Sequence, residues 1–295
     1  MSVRSETCPV CRSAIRPWRV KTTGDQAFAI DRCGTCGYAF VNPRPGLDVL
    51  TRHYARLGHG REATDARSVL ERERTFPNST VDAARMLATI GALAGGGVGG
   101  RFLDVGCGYG FYAARARAAG FEVIALDLAE NERGIAEAIG GVTPLACSFE
   151  AFECAPGSIR VVLMSHVLEH AFDVQAWIAK AHRILAEDGL LAVALPNFGS
   201  LFRLVMQERE PYVCPPDHLN FFDPGSLGRL LAGHGFAVEA VQWVSRLPLT
   251  AFEKRLPALK PVLPLVGAAS WACLRLIDGL RLGATISVYA RKARP

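Results

Sequence analysis

The stretch FLDVGCGYG, Phe102 to Gly110, constrains this chain more than any other. Phe102 to Val105 reads as an apolar strand, followed by glycines at every second position: Gly106, Gly108 and Gly110. The helical segment FYAARARAAG comes next, and Gly120 ends it. A glycine turn between a strand and a helix lets backbone approach a ligand closely and aims free N–H groups at it. The pattern predicts a nucleotide-type pocket at the carboxyl end of a buried strand. The bland alternative is a tight turn that holds nothing.

Spacing narrows the choice of nucleotide. A dinucleotide fingerprint requires a third glycine three places after the second, and that position is Phe111, which weakens an NAD reading. One acid, Asp104, lies inside the motif, and a second, Asp127, ends the next apolar run, FEVIALD. Asp127 falls close to the ~20-residue spacing at which an acid meets ribose hydroxyls in such folds. On these residues the chain resembles the class I S-adenosylmethionine (SAM)-dependent methyltransferases. FLDVGCGYG resembles their first motif and Asp127 their ribose-binding acid. The resemblance implies SAM as cofactor, with contacts at Asp104, Gly106, Cys107, Gly108, Gly110, Asp127 and Leu128.

From Arg101 onward, strand and helix patterns alternate, which argues for a parallel sheet. A short strand is expected near Val142 to Ala146. IRVVLMS, Ile159 to Ser165, and LLAVALP are continuously apolar, as central strands buried on both faces should be. Helices are expected over Glu130 to Ile139, Asp173 to Glu187 with a stop at Asp188-Gly189, and Pro224 to His234 with Asp223 as N-cap. FAVEAVQWV and TISVYARK read as a closing pair of strands. The expected fold class is α/β, a doubly wound, mostly parallel Rossmann-like sheet of seven strands with a small N-terminal zinc ribbon.

The ribbon is read from Cys8-Pro-Val-Cys11 and Cys33-Gly-Thr-Cys36. Two CxxC pairs at this separation suit tetrahedral Zn²⁺, and a closed four-thiolate site leaves no open coordination position, so its expected role is structural. A redox CxxC is the rival reading. The other five cysteines are scattered and read as packed apolar residues. The expected organisation is a ribbon over 1–45, a helical linker or lid over 46–98, and a methyltransferase domain over 99–295. Within that domain lie a substrate-loop insertion near 197–222 and an apolar cover near 248–282. In the linker, helical spacing covers Leu47 to Leu57, and Ser79 with Asp82 forms a partial capping box for a helix burying Ala83, Met86, Leu87 and Ile90.

Ligands of parallel α/β sheets bind beyond the carboxyl ends of the strands. That rule selects the loops after Val105, Asp127, Ala146, Ser165 and Pro196. Resemblance to the family implies adenine contacts at Ser148 and Phe149, the latter by stacking, and a further cofactor contact at Ser165. Ser165-His166-Val167-Leu168-Glu169-His170 resembles the HVLEH segment of small-molecule methyltransferases, and lacks the proline pair of enzymes that methylate exocyclic amines of nucleic acid. A hydroxyl or acidic C–H acceptor gains from a general base, for which histidine suits neutral pH. The candidates are His218, in CPPDHLNFF, ahead of His166. His170 reads as structural, and Glu169 as either a helix cap or an acceptor contact.

The net charge of +5 resides in the first 60 residues, where nine Lys/Arg face four Asp/Glu. Four thiolates on Zn²⁺ reduce that excess to a mild bias, too small for a nucleic-acid surface. The N-terminus has no apolar signal core, and the longest uncharged run near the C-terminus, Val262 to Leu274, is broken by Pro264 and is shorter than a bilayer span of ~20 residues. A cytoplasmic protein is expected. Its apolar 248–282 region would cover the site mouth or a homodimer surface, or approach a membrane surface. The resemblance extends to bacterial class I methyltransferases with an N-terminal zinc-binding segment. It implies a small-molecule acceptor, foremost an oxygen of a sugar or polysaccharide precursor, a quinone-like molecule or a secondary metabolite. The alternatives are a zinc-ribbon RNA methyltransferase, a keto-sugar C-methyltransferase, and a scaffold that keeps the fold without catalysis.

Overall fold

The computed structural model describes residues 4–46, 49–50, 65–75, 77–94, 99–246 and 263–293. Strand β1 (Ile15–Thr23) and strand β2 (Gln26–Cys33) form an antiparallel hairpin whose turn places Gly24 at φ +62°. That left-handed conformation is one glycine adopts without a Cβ clash. Strand β3 (Ala39–Val41) follows the second cysteine pair and lies antiparallel to β2.

Helices α1 (Ala66–Thr75) and α2 (Ser79–Leu93) come next. α2 buries Ala83, Met86, Leu87 and Ile90, the stripe its spacing predicts. Its N-terminus is held differently from the expected capping box. Glu73, at the end of α1, accepts the backbone N–H groups of Asn78, Ser79 and Thr80 at 3.1, 3.2 and 3.0 Å. Asp82 is thereby left to pair with Arg85 and Arg246 at 3.0 and 2.8 Å. The expected helix at Leu47 to Leu57 lies mostly outside the described residues, as do 95–98 of the glycine joint and 247–262 of the apolar cover.

The main sheet contains β4 (Arg101–Val105), β5 (Glu122–Leu126), β6 (Ile159–Ser165), β7 (Leu185–Pro196), β9 (Phe236–Val244) and β10 (Thr285–Lys292), in the order β5-β4-β6-β7-β10-β9. β5, β4, β6 and β7 are parallel, and β10 runs antiparallel to both β7 and β9. Helices α3 (Phe111–Ala118), α4 (Glu130–Gly140), α5 (Val174–Ile184) and α7 (Pro224–Gly233) cover its faces, while short α6 (Leu201–Met206) and strand β8 (Asn220–Phe221) follow β7. Helix α8 (Leu263–Gly279) precedes β10 and leaves Trp271 and Leu276 exposed. Among the described residues, no helix is long and apolar enough to cross a membrane.

Two expectations change. The sheet has six strands among the described residues rather than seven. The run near Val142 to Ala146 contributes one parallel bridge, Leu126 to Leu145, held by Leu145 N to Ala125 O at 2.8 Å and Asp127 N to Leu145 O at 3.1 Å. The helix expected to reach Glu187 stops at Ile184. Leu185 is already extended and pairs with Ile159, and Asp188, at φ +61°, lies where the register slips before Leu190 pairs with Val161. Packing of Leu185 into the sheet overrides a helical period that continued on sequence alone. The cap at Asp223 forms as read, its carboxylate accepting from Ser226 N at 2.7 Å.

The N-terminal hairpin does not stand alone. β8, from the loop after β7, pairs with β3 through Ala39–Phe221 and Phe40–Asn220, so one four-stranded sheet runs β1-β2-β3-β8. Phe28, Ile30 and Val41 of the hairpin segment share one apolar cluster with Phe198, Val213, Leu219 and Phe221. Tyr38 and Phe40 join the main core beside Phe222 and Trp177.

Candidate functional site

β4 delivers the chain into the glycine turn, and all three glycines are left-handed: Gly106, Gly108 and Gly110 at φ +67°, +51° and +80°. A Cβ at Gly106 would overlap Val167, and one at Gly110 would come within 2.8 Å of the Ala136 carbonyl oxygen on α4. At Gly108 a Cβ would meet nothing within 4 Å. The first and third glycines therefore permit close packing, while the second borders open space. Gly110→Ala should destabilise the fold by about 2–4 kcal/mol, since strain adds to a backbone clash. Gly108→Ala should lose only ~1–2 kcal/mol and yet weaken nucleotide binding at least tenfold. Urea unfolding and calorimetric titration on the two variants check this. A Gly108→Ala protein that binds normally would show that no ligand uses the space.

Two carboxylates flank the turn. Asp127 Oδ2 accepts from Gly108 N at 2.8 Å and its Oδ1 from Ala129 N at 2.9 Å. Leu128, beside it, is 68% exposed, an apolar surface next to the acid. Asp104 is buried, and its Oδ2 has no hydrogen-bond partner. Burial and the nearby Asp127 push its carboxyl up to about 7. Cys107 is buried, its thiol raised by the same burial and by Asp104 and Asp127.

The remaining expected cofactor residues differ in what they can offer. Ser148 Oγ accepts from Ala151 N at 3.3 Å, closing a turn. Phe149 is buried with its ring edge-to-face on Trp177 at 5.2 Å. Phe149 presents no exposed face for the expected stacking: its ring is buried, with Trp177 edge-to-face and Lys180 Nζ 5.4 Å over it. Ser165 ends β6 and shares a hydrogen bond with the Tyr112 hydroxyl.

Beyond Ser165 the chain turns at His166, φ +56°, and enters a short 3₁₀ turn over Leu168–His170. His166 Nδ1 lies 3.4 Å from Glu169 Oε1. The His166 side chain is 45% exposed, whereas that of Glu169 is 2% exposed. Burial works to neutralise the Glu169 carboxylate, but His166, His170 and His218 outweigh it and hold its pKa below the ordinary value. Burial likewise opposes protonation of His166, and the Glu169 contact reverses that and raises its pKa.

His218 is buried, its Nδ1 2.8 Å from the Tyr212 carbonyl oxygen, and burial depresses its pKa. With Asn197, Arg203, Glu210, Tyr212 and Asn220 it lines a hollow at the end of β7. Asn220 is the clamp of this region, a role that its place in LNFF did not signal. Its Nδ2 faces the carbonyl oxygens of Leu168, Glu169 and Ala171 at 3.3, 3.1 and 2.7 Å. Its Oδ1 accepts from Tyr38 Oη and Arg44 Nη2, both at 2.5 Å. Arg44 also donates to Leu219 O at 2.7 Å, and Thr23 Oγ1 to Pro215 O at 2.5 Å. The N-terminal sheet thus holds the loop that carries His218 and, through Asn220, the turn that carries Glu169.

At the far end of β2, the sulfurs of Cys8 and Cys36 lie 3.6 Å apart and those of Cys11 and Cys33 3.5 Å apart, with all four within 4.8 Å. These separations exceed a disulfide bond of ~2.05 Å and match the ~3.8 Å edge of a tetrahedron with 2.3 Å metal–sulfur bonds. Val10 N points at Cys8 Sγ, and Thr35 N and Cys36 N at Cys33 Sγ, each at 3.4 Å, as suits thiolate charge. Arg12 at φ +62° and Gly37 at φ +80° turn the chain after each pair.

A family model described as a methyltransferase domain matches residues 78–241, more than half of the chain. Among solved structures, a SAM-dependent methyltransferase from Archaeoglobus fulgidus is 19% identical, with 76% of this chain and 99% of that one covered and a TM-score of 0.53. Phosphoethanolamine N-methyltransferase 2 of Haemonchus contortus, in complex with S-adenosyl-L-methionine, is also 19% identical. It covers 79% of this chain and 59% of its own at a TM-score of 0.53. At such identities the structures establish a shared fold. No curated protein matches the sequence significantly. The match over residues 78–241, on a sheet whose glycine turn and paired acids lie at the carboxyl ends of β4 and β5, places the protein in the methyltransferase-domain family.

Proposed function

We propose that this protein transfers a methyl group from SAM to an oxygen of a small-molecule acceptor, such as a sugar or polysaccharide precursor, a quinone-like molecule or a secondary metabolite. The observation that carries the reading is the His166–Glu169 pair, one partner exposed and the other buried, at the carboxyl end of the strand beside the glycine turn.

The residues present fit the cofactor. Gly108 borders open space, Leu128 offers an exposed apolar surface, and the Asp127 carboxylate sits where ribose hydroxyls would be read. The unpartnered oxygen of Asp104 suits a cationic ligand. Bound SAM supplies a methyl already activated on a sulfonium, so the chain's task is largely to hold an oxygen in line with it. His166 takes the acceptor's proton, and buried Glu169 orients the ring and favours its charged form. This order reverses the expectation from sequence, which placed His218 first. His218 is buried, and its Nδ1 is tied to the Tyr212 carbonyl. Cys8, Cys11, Cys33 and Cys36 bind one Zn²⁺, which braces the sheet behind the acceptor loop.

Calorimetric titration of the zinc-loaded chain with SAM and with NAD tests the cofactor. Micromolar SAM binding without NAD binding is expected, and absence of SAM binding overturns the proposal. For the base, His166→Ala should lower turnover by something like 10²–10⁴ while SAM affinity stays within about twofold. Undiminished turnover in that variant would remove His166 from the mechanism.

A further inference from the structure

Glu169, His170 and His218 form a second cluster, separate from the four cysteines. One potential ligand atom of each lies within 4.8 Å of the others. Three observations point to a cation there.

Glu169 is almost completely buried; its Oε1 meets only the His166 ring at 3.4 Å, without hydrogen-bond geometry, and its Oε2 has no hydrogen-bond partner. A buried carboxylate normally collects two or more donors, and one without them calls for a positive charge. The second observation concerns the histidine tautomers. His170 Nδ1 lies 2.7 Å from Asp217 O and 3.5 Å from Asp217 Oδ1, and His218 Nδ1 lies 2.8 Å from Tyr212 O. Only acceptors face these nitrogens, so each carries the proton and leaves a lone pair on Nε2. A metal-bound histidine is oriented in this way, its far nitrogen donating to a carbonyl or carboxylate.

Third, the cluster is held from outside rather than by itself. Leu219 N donates to Glu169 O at 2.8 Å, and Asn220 Nδ2 reaches the Leu168, Glu169 and Ala171 carbonyls, so the two segments bearing the ligands are tied together. The His170 and His218 rings stand edge-on at 4.8 Å. Adjacent ligands of an ion with ~2.1 Å bonds sit about 3 Å apart, so binding would draw the three side chains inward by roughly an ångström.

We propose that Glu169, His170 and His218 bind a divalent cation on one face, leaving the opposite positions for the acceptor. Two imidazole nitrogens and one carboxylate suit Mn²⁺, Fe²⁺, Co²⁺ or Zn²⁺ in preference to Ca²⁺. The inference deepens the proposed function and rests on it. The ion would bind the acceptor oxygen and lower its pKa. The O–H bond breaks with its proton passing to His166, the O–CH₃ bond forms as the S–CH₃ bond breaks, and S-adenosylhomocysteine leaves. An acceptor able to chelate through two adjacent oxygens, a vicinal diol or an ortho-dihydroxy ring, fits such a half-open site best.

Mn²⁺ is the probe, because the thiolate site disfavours it once filled with zinc. Zinc-loaded full-length chain is titrated with Mn²⁺, and the free ion is followed by electron paramagnetic resonance. Proton NMR on the same samples reads which histidine ring signals broaden. One saturable Mn²⁺ per chain is expected, with selective broadening of His170 and His218. His170→Ala and Glu169→Gln should each weaken binding at least tenfold, with zinc content and S-adenosylhomocysteine affinity unchanged. Absence of saturable Mn²⁺ binding, broadening elsewhere, or equal binding by His170→Ala overturns the site. S-adenosylhomocysteine binding without Mn²⁺ binding removes the cation alone. Failure to bind S-adenosylhomocysteine removes the methyltransferase reading itself.

Discussion

Asp104→Asn should make the cofactor-free protein more stable at pH 8 by about 2–4 kcal/mol, while weakening SAM binding by something like 10–100-fold. The carboxyl of Asp104 is raised from 3.8 to about 7 by burial and by Asp127. A raised acid keeps its proton in the folded state over a range where the unfolded chain has lost it. Folding stability from this group is therefore full below about pH 4, falls as pH rises toward 7, and is flat above. At 1.36 kcal/mol per unit the whole shift amounts to about 4 kcal/mol. Asparagine resembles the protonated carboxyl and cannot ionise, so it escapes the loss. The two proteins should be equally stable near pH 4 and separate progressively up to pH 7. Urea unfolding at pH 4.5, 6 and 8 checks this, and a difference independent of pH would refute it. The loss of SAM affinity follows from the same carboxylate. A cationic ligand offsets a buried charge whose Oδ2 has no hydrogen-bond partner in the protein, and a charged hydrogen bond of that kind contributes roughly 1.5–3 kcal/mol.

Removing metal from the four cysteines should have the other large effect. Thiolate zinc sites of this type contribute apparent binding free energies on the order of 10 kcal/mol at neutral pH, most of it folding free energy. The N-terminal sheet is small, and with the proposed zinc removed it is not expected to persist. Its loss would propagate along defined contacts. Among the described residues β8 pairs with β3 alone, and Asn220 is held by Tyr38 and Arg44. The expected outcome of strong chelation is a lower melting temperature, loss of hydrogen-exchange protection at Asn220 and Phe221, and a drop in turnover larger than the drop in SAM affinity. The glycine turn takes its packing from Val167 and α4 rather than from the ribbon, so nucleotide binding should outlast acceptor binding. Unchanged melting after zinc removal would show that the site has no structural role.

Much of the nucleotide side is legible in the sequence. A strand ending in alternate glycines permits few backbone paths, and the left-handed angles at Gly106, Gly108 and Gly110 are what that pattern implies. Asp127 is placed by the βαβ unit, whose length varies little, and its carboxylate lies beside the glycine turn, accepting from Gly108 N. The stripe on α2 and the cap at Asp223 also depend on neighbours a few residues away. Where local rules failed, a distant partner had intervened. Glu73 displaced the Ser79–Asp82 box, and Ile159 drew Leu185 out of its helix.

The acceptor side was far less legible. His166 and Glu169 are three residues apart, but only the tertiary structure leaves the imidazole exposed and buries the carboxylate behind it. Asn220 and Tyr38 are 182 residues apart, and the pairing of β3 with β8 has no counterpart in either segment's own pattern. By itself the sequence determined the turn, the alternation of strands and helices, and the cysteine pairs, since sterics, period and ligand spacing act within about one supersecondary unit. Only the tertiary structure decided that the N-terminal sheet holds the loop after β7 and that three histidines surround one carboxylate. Those contacts exist because distant segments bury their apolar faces together, and burial depends on the whole chain's packing rather than on any stretch of it.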